Sequence, residues 1–504
     1  MRARWIIGFI ALAVVVALAG GVTACHHPTA KTITLRLGYE HDLVTFDPYA
    51  HDDSVTRSVL SALYEPLVSL SPELEVEPCL AERWTTPSEK TWRFKIRRGV
   101  LFHDGRPLTV EDVLASLRRA IASPESVVAT YLTTVETVHR DTGDFVEITT
   151  KAPFPLLLSR LAFVPIVPAD FNPTHPLGTG PYRLVSSAEE RPLRLERWTS
   201  YWGKRPAADR IEVFGINGRQ ALGGALDRDQ IDVMAAVTSE FLQQWTVRPP
   251  WHVERVPSLR TTVLGINVLK WPFTDPRVRE AIDISIDRRE LVRAAFPAGD
   301  ATAAASLIPV EVFGFSPTSV VSPAEPVRAR ELLREAGVSE GTHIVLEHAG
   351  VPPGTLAYLK KALEIAGFKV GDVRYPFEEY YSRFMGGESG LFLFGWNFPF
   401  ADASDMLDSV IHSRNPEKHL GLQNGSGYSN ALVDRWIEAA VQEPRSAQRL
   451  EMLRQALRRE AEDRPYLPLY HASRIVLAKA PFTVIKRSGS WILPQEVLVE
   501  NSED

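Results

Sequence analysis

Thr91-Trp92-Arg93-Phe94-Lys95-Ile96-Arg97 alternates cleanly. Trp92, Phe94 and Ile96 point one way and Arg93, Lys95 and Arg97 the other, which is the period of a strand with one buried face. A turn follows at His103-Asp104-Gly105. Thr109 then caps a helix whose Val110, Val113, Leu114, Leu117 and Ile121 recur at helical spacing. A half-buried strand, a turn and a capped amphipathic helix in succession make this a mixed α/β chain.

The same signals recur on both sides of that stretch. Thr32 to Tyr39 reads as a first strand with Ile33, Leu35 and Leu37 on one face, and Leu391 to Trp396 as a fully buried one. Asp275 before Pro276 starts a helix, with proline tolerated at its first position, and Val278, Ala281, Ile282, Ser285 and Ile286 form the inner stripe. Asp287 and Glu290 have the spacing of a capping box for the next helix. Ala329, Leu332, Leu333 and Ala336 line another, which Gly337 ends. Pro297 to Pro326, rich in Ala, Pro and Ser, is expected to wander over the surface. Strands and helices mix without a regular βαβ beat, and no internal repeat or low-complexity tract is present. At about 150 residues per lobe, the length allows two or three lobes.

The N-terminus carries an address. Arg2 and Arg4 precede the uncharged apolar run Trp5 to Leu18, and small residues lead to Val22-Thr23-Ala24-Cys25. That order describes a secretory leader over residues 1–24, and the run is shorter than the roughly 20 residues a spanning helix needs. Cysteine directly after the small residues resembles a bacterial lipobox, whose thiol is lipidated and becomes the new N-terminus. The mature chain is therefore expected to begin at Cys25, with residues 25–30 as a tether. It would lie outside the cytoplasm, in the periplasm or at the cell surface, held to a membrane it does not cross. Loss of Arg2 and Arg4 leaves 54 basic residues against 62 acidic ones, a net charge of about −8 that argues against nucleic acid as a partner. Cys79 then has no cysteine partner, so disulfides play no part, and its apolar neighbours Leu80 and Ala81 suit a buried thiol.

A series of segments resembles the extracytoplasmic solute-binding proteins of the oligopeptide, dipeptide and nickel class, which serve ABC importers. It runs from Tyr64-Glu65-Pro66-Leu67 through Leu80-Ala81-Glu82-Arg83-Trp84, Arg97-Arg98-Gly99-Val100, Phe102-His103-Asp104-Gly105 and Gly178-Thr179-Gly180-Pro181-Tyr182. It continues with Phe273-Thr274-Asp275-Pro276-Arg277-Val278-Arg279-Glu280-Ala281, Ile286-Asp287-Arg288, Ala329-Arg330-Glu331-Leu332-Leu333 and Gly427-Tyr428-Ser429-Asn430. Each is weak alone; their order and spacing over nearly the whole mature chain are specific. The resemblance implies a two-lobed periplasmic-binding-protein fold of type II with an added third region and a hinge between the lobes. By analogy lobe I takes residues 31–53, 167–262 and 470–504, the added region 54–166 packs on it, and lobe II takes 263–469. Gly178 to Tyr182 would be a re-entry between lobes; it lacks the lysine and spacing of a phosphate loop.

The resemblance also places the ligand site. In peptide-binding relatives the segment after Gly-Trp supplies an aspartate for the peptide's ammonium; here Pro399 stands where that acid should be. Asp402 matches a second acid of the family, with Asp405 three residues on. Asp402 has two readings, a substitute ammonium partner or the cap of a helix through Met406 and Leu407. Asp42 aligns with a cleft-facing acid or is a solvated loop acid. Arg383 stands near an arginine that relatives use for a ligand carboxylate, or forms a surface salt bridge. Trp396, Asn397 and Phe398, at a strand end, would supply an aromatic wall and an amide.

The expected protein is a monomeric, lipid-anchored solute receptor that closes on a small ligand, most simply a peptide, and hands it to ABC permease subunits. A non-peptide ligand (an oligosaccharide, a conjugate or a metal chelate) and a sensory lipoprotein are the alternatives. No cofactor and no protein metal site are expected, because His41, His51, His103 and His471 lack ligand spacing. No nucleophile elbow and no His-Glu-x-x-His helix points to an enzyme.

Overall fold

Leu35, Leu37 and Tyr39, each no more than 1% exposed, make Thr34–Tyr39 (β1) the strand its alternation predicts. The computed structural model describes residues 32–123, 126–186, 189–318, 321–489 and 491–500. The stretch expected to be a leader and tether, with Cys25, lies outside the described residues. No helix among the described residues is long and apolar enough to cross a membrane.

β1 belongs to a principal sheet of eleven strands. The others are Tyr182–Leu184 (β2), Leu193–Arg197 (β3), Arg210–Gly215 (β4), Val233–Val237 (β5), Trp251–Ile266 (β6), Ala301–Ala303 (β7), His343–His348 (β8), Lys369–Arg374 (β9), Leu391–Asn397 (β10) and Tyr466–Lys479 (β11). Their order is β2-β3-β4-β1-β5-β11-β6-β10-β8-β9, with β7 pairing β11. Two strands dominate: β6 and β11 run antiparallel from Trp251 opposite Lys479 to Gly265 opposite Tyr466. β5 joins one end of this ribbon and β10 the other, so β6 and β11 connect the two halves of the sheet. Their register shifts between Pro257 and Arg260 and again between Thr262 and Val263, irregularities that bend a ribbon. The sequence-derived lobe boundaries at 262/263 and 469/470 fall inside these two strands.

The buried alternation of β10 separates two cores. Leu391 and Leu393 pack with the stripes of Pro276–Ile284, Arg288–Ala295, Pro326–Glu335 and Pro353–Ala366. Phe392 faces the other way, onto Phe377–Met385, Ala431–Gln442 and Ser446–Asp463. A separate antiparallel sheet holds Ala81–Ser88, Thr91–Ile96, Phe145–Thr150 and Val135–Arg140 in that order. The helix Val110–Ala122 packs against it. Thr109 and Asp112 close a full capping box at that helix start, with Thr109 N–H donating to Asp112 Oδ2 at 3.0 Å.

Two expectations need correction, and a third gains its physical reason. Asp287 caps its helix by accepting from the Arg289 and Glu290 amides, but Glu290 does not return the bond. The Asp287 amide donates to the Tyr358 hydroxyl instead, and Glu290 pairs with Arg293. Pro297 to Pro326 is not purely surface: it contributes β7 and buries Leu307, Ile308 and Val312. The glycines of Gly178 to Tyr182 serve close approach. A Cβ on Gly178 would stand 1.9 Å from the Leu63 carbonyl oxygen, and one on Gly180 2.5 Å from that of Ala62. The chain enters there as neighbour to a backbone, and no side chain fits between.

Candidate functional site

β10 ends at Asn397, and the loop after it carries most of the expected site. Trp396 is half-buried against the aromatic core, and its indole Nε1 is sequestered with no hydrogen-bond partner among the described residues. Asn397 is exposed. Phe398 is not a wall of open space: it is fully buried in that core. Pro399 and Phe400 follow, and the Phe400 ring is enclosed. The Arg160 guanidinium lies 3.5 Å from its centroid, with Tyr131 and Phe163 edge-on at 4.8 and 4.9 Å. Phe163 in turn meets Trp491. This cluster joins the loop after β10 to residues 131–163. A cleft of about 710 Å³ opens beside it, lined among others by Trp92, Phe154, Phe313, Phe400, Asp402 and Arg449.

Asp402 is engaged on both oxygens. Arg449 Nη1 donates to Oδ2 and Nη2 to Oδ1, each at 2.7 Å, while Nη2 also reaches Ser404 Oγ at 2.8 Å and Nε the Ala440 carbonyl at 3.0 Å. Oδ1 further accepts the Ser404 amide at 2.9 Å, the cap-like contact expected at the start of Ser404–Met406, although Ala403 holds the cap position itself. Three of the roughly four acceptor sites of this carboxylate are thus taken, and its charge is matched by Arg449. Asp405 lies 3.6 Å from Arg160. Burial pushes its carboxyl up to about 7 and that of Asp408 up to about 8, with Arg160 only partly offsetting the cost of charge.

Asp42 and Arg383 sit apart from this cluster. Asp42 is exposed and pairs with Arg191 at 3.2 Å, with Gly215 close beneath it. Arg383 binds Glu347 at 3.1 Å and Glu388 at 3.0 Å and lies over the Tyr375 ring at 4.7 Å. Glu347 is buried and also accepts from Ser389, so the Arg383 guanidinium completes an internal network. No side-chain hydrogen bond or ion pair links any two of Asp42, Arg383, Trp396, Asn397, Phe398 and Asp402 among the described residues.

Three residues at this place were not singled out from the sequence: Arg160, Phe400 and Arg260. Arg260 stands on β6 directly opposite Asn397 on β10. Its one sequence signal is a lone charge in the run Leu259-Arg260-Thr261-Thr262-Val263. Among the described residues no group of three or more His, Cys, Asp or Glu side chains is arranged to hold a metal ion.

The family described as bacterial extracellular solute-binding proteins, family 5, middle region, matches residues 75–418. The glutathione-binding protein GsiB of Shigella dysenteriae is 27% identical over 511 residues, 97% of this chain and 96% of the relative. Among solved structures, the periplasmic binding protein DppA of Helicobacter pylori, in complex with the peptide STSA, superposes with a TM-score of 0.75 at 21% identity, over 93% of this chain and 98% of DppA. The binding protein MoaA of A. tumefacien R10, in complex with mannopinic acid, does so at 0.74 and 22% identity, over 93% of this chain and all of MoaA.

Proposed function

The chain belongs to the bacterial extracellular solute-binding proteins of family 5, and on that footing we propose that it captures a small peptide or glutathione-like conjugate and delivers it to an ABC permease. It has the type II binding-protein fold and is a binding protein, not an enzyme. In the proposed cycle, residues 31–53, 167–262 and 470–504 form lobe I, with 54–166 packed on it, and 263–469 form lobe II. β6 and β11 are the crossings about which the lobes rotate. A solute bound between lobes favours the closed form and shifts the population towards it. The protein works as a monomer outside the cytoplasm, held by lipid on Cys25.

The observation that carries this reading is the match to glutathione-binding relatives over 97% of the chain. Calorimetric titration of the purified full chain with reduced glutathione and a panel of di- and tripeptides tests it. Saturable binding of a panel member is expected; heat from none of them overturns the peptide reading.

One observation favours a non-peptide solute instead. Pro399 replaces the expected ammonium partner, and Asp402, the nearest substitute, is consumed by Arg449. A buried ammonium without an anion costs several kcal/mol. Mass spectrometry of solute released from gently purified protein separates the two: peptides or glutathione support the first reading, a single non-peptide solute the second.

A further inference from the structure

Among the described residues, no anion pairs with Arg260. Other arginines near the ends of β10 and β11 are matched: Arg449 by Asp402, Arg160 by Asp405, Arg383 by Glu347 and Arg474 by Glu40. Arg260 makes no side-chain hydrogen bond and no ion pair among the described residues, and the Tyr470 phenol is the only titratable group felt there. The residue is exposed, yet desolvation by the surrounding chain lowers its pKa. A partly desolvated guanidinium that solvent still reaches is stabilised by an anion arriving from outside.

The sheet surface around Arg260 is defined by the strand register. In an antiparallel pair, opposed residues rise from the same face with Cβ atoms about 4.5–5.5 Å apart. The Arg260 and Asn397 side chains therefore rise as neighbours from one face of the sheet. On Arg260's other side the opposed residue is Ala472, and beyond it Ala301, both too small to fill the row. The guanidinium folds over Gly395, where a Cβ would stand 2.2 Å from Arg260 Nη2 and 2.7 Å from Nε. Only glycine leaves room for this pose.

We propose that Arg260, with the Asn397 amide beside it, receives a carboxylate of the bound solute. The guanidinium fork matches a carboxylate in two parallel hydrogen bonds, and the amide N–H supplies another donor. This assignment rests on the solute-binding reading and deepens it. With Pro399 in place of an acid and Asp402 occupied, the charge this chain holds ready for a ligand is positive, so the solute is selected by its anionic end.

The test uses the full chain as wild type, Arg260→Met and Asn397→Ala, titrated with reduced glutathione, its diethyl ester, Met-Leu and Met-Leu amide. For an acid that binds wild type, Arg260→Met should weaken binding roughly 10- to 100-fold and Asn397→Ala less. The corresponding ester or amide should bind wild type and Arg260→Met alike, with the melting temperature of the variant unchanged. Equal affinity of wild type and Arg260→Met for the acid overturns the assignment, as does an equal loss for acid and neutral derivative. If wild type binds none of the four, the peptide reading fails separately, and the solute released on denaturing gently purified protein decides. A carboxylate-bearing solute that Arg260→Met no longer retains supports the assignment, and a solute without an acidic group overturns it.

Discussion

Arg449 grips Asp402 through two parallel hydrogen bonds of 2.7 Å, with both side chains nearly excluded from solvent. The pair ties the loop after β10 to the helix Ser446–Asp463, and the remaining guanidinium protons go to Ser404 and the Ala440 carbonyl. Its geometry is that of a structural brace. Asp402→Ala strands the Arg449 charge in the core, and removal of one partner of a buried pair costs about 3–5 kcal/mol. Denaturant unfolding should show a loss of that order, with solute affinity little changed once the variant is folded. An unaltered unfolding midpoint together with abolished binding would return Asp402 to the ligand.

Phe400 links two parts of the chain that are far apart in sequence, because its ring lies under Arg160 and against Tyr131 and Phe163. If closure of the lobes forms this contact, Phe400→Ala removes attraction from the closed form alone. A desolvated cation–π contact is worth about 2 kcal/mol, which corresponds to a shift of roughly tenfold or more between open and closed forms. Small-angle scattering should find a larger radius of gyration for the ligand-free variant than for wild type. Identical scattering curves would mean that the cluster persists through both forms.

What could be read in advance follows from how far each interaction reaches along the chain. β1, Thr91–Ile96 and the helix start at Thr109 were legible because their signals are local: a period of two, or a side chain bonding an amide three residues on. The capping box at Asp287 failed because the competing hydroxyl, Tyr358, comes from a helix 71 residues away. Asp402 was ambiguous for the same reason, its partner Arg449 lying 47 residues downstream. Phe398 was expected at a cleft because it follows a strand end, yet the chain turns it into the aromatic core. Arg260 gave only a lone charge in an uncharged run, since the absence of a partner becomes visible only when strands β6, β10 and β11 lie side by side.

Asp405 and Asp408 predict a pH dependence of stability. Burial holds Asp405 at about 7 and Asp408 at about 8, both above an unfolded carboxyl. Between about pH 4 and pH 8 the folded chain therefore binds more protons than the unfolded one, and its stability falls as pH rises through that window. The double variant Asp405→Asn with Asp408→Asn removes both titrations. Its denaturation midpoint, measured against wild type at about pH 5 and about pH 8.5, should compare more favourably at the higher pH. The same offset at both values would show that neither carboxyl is perturbed in the native protein.

Gly178 is tested by the smallest possible change. Its missing Cβ would fall 1.9 Å from the Leu63 carbonyl oxygen and 2.6 Å from the Tyr64 ring. Nothing nearby can yield cheaply, because Gly180 N–H donates to that same carbonyl and Tyr182 N–H to the carbonyl of Ala62. Tyr64 is itself buried, with its hydroxyl bonded to the Phe46 carbonyl. Gly178→Ala must push the two segments apart and break those bonds, so a loss at or above the roughly 3 kcal/mol upper range for overpacking is expected. Gly223→Ala, inside the helix Arg219–Asp227, is the control: like Gly178 it has no positive φ, but no atom outside its own helix backbone stands within 4 Å of the added methyl. That variant should lose nothing and gain up to about 1 kcal/mol, because alanine favours a helix interior over glycine. Thermal unfolding of the two variants side by side isolates the steric part, and equal melting temperatures would show that the segment 178–182 can move away from residues 62–64 without penalty.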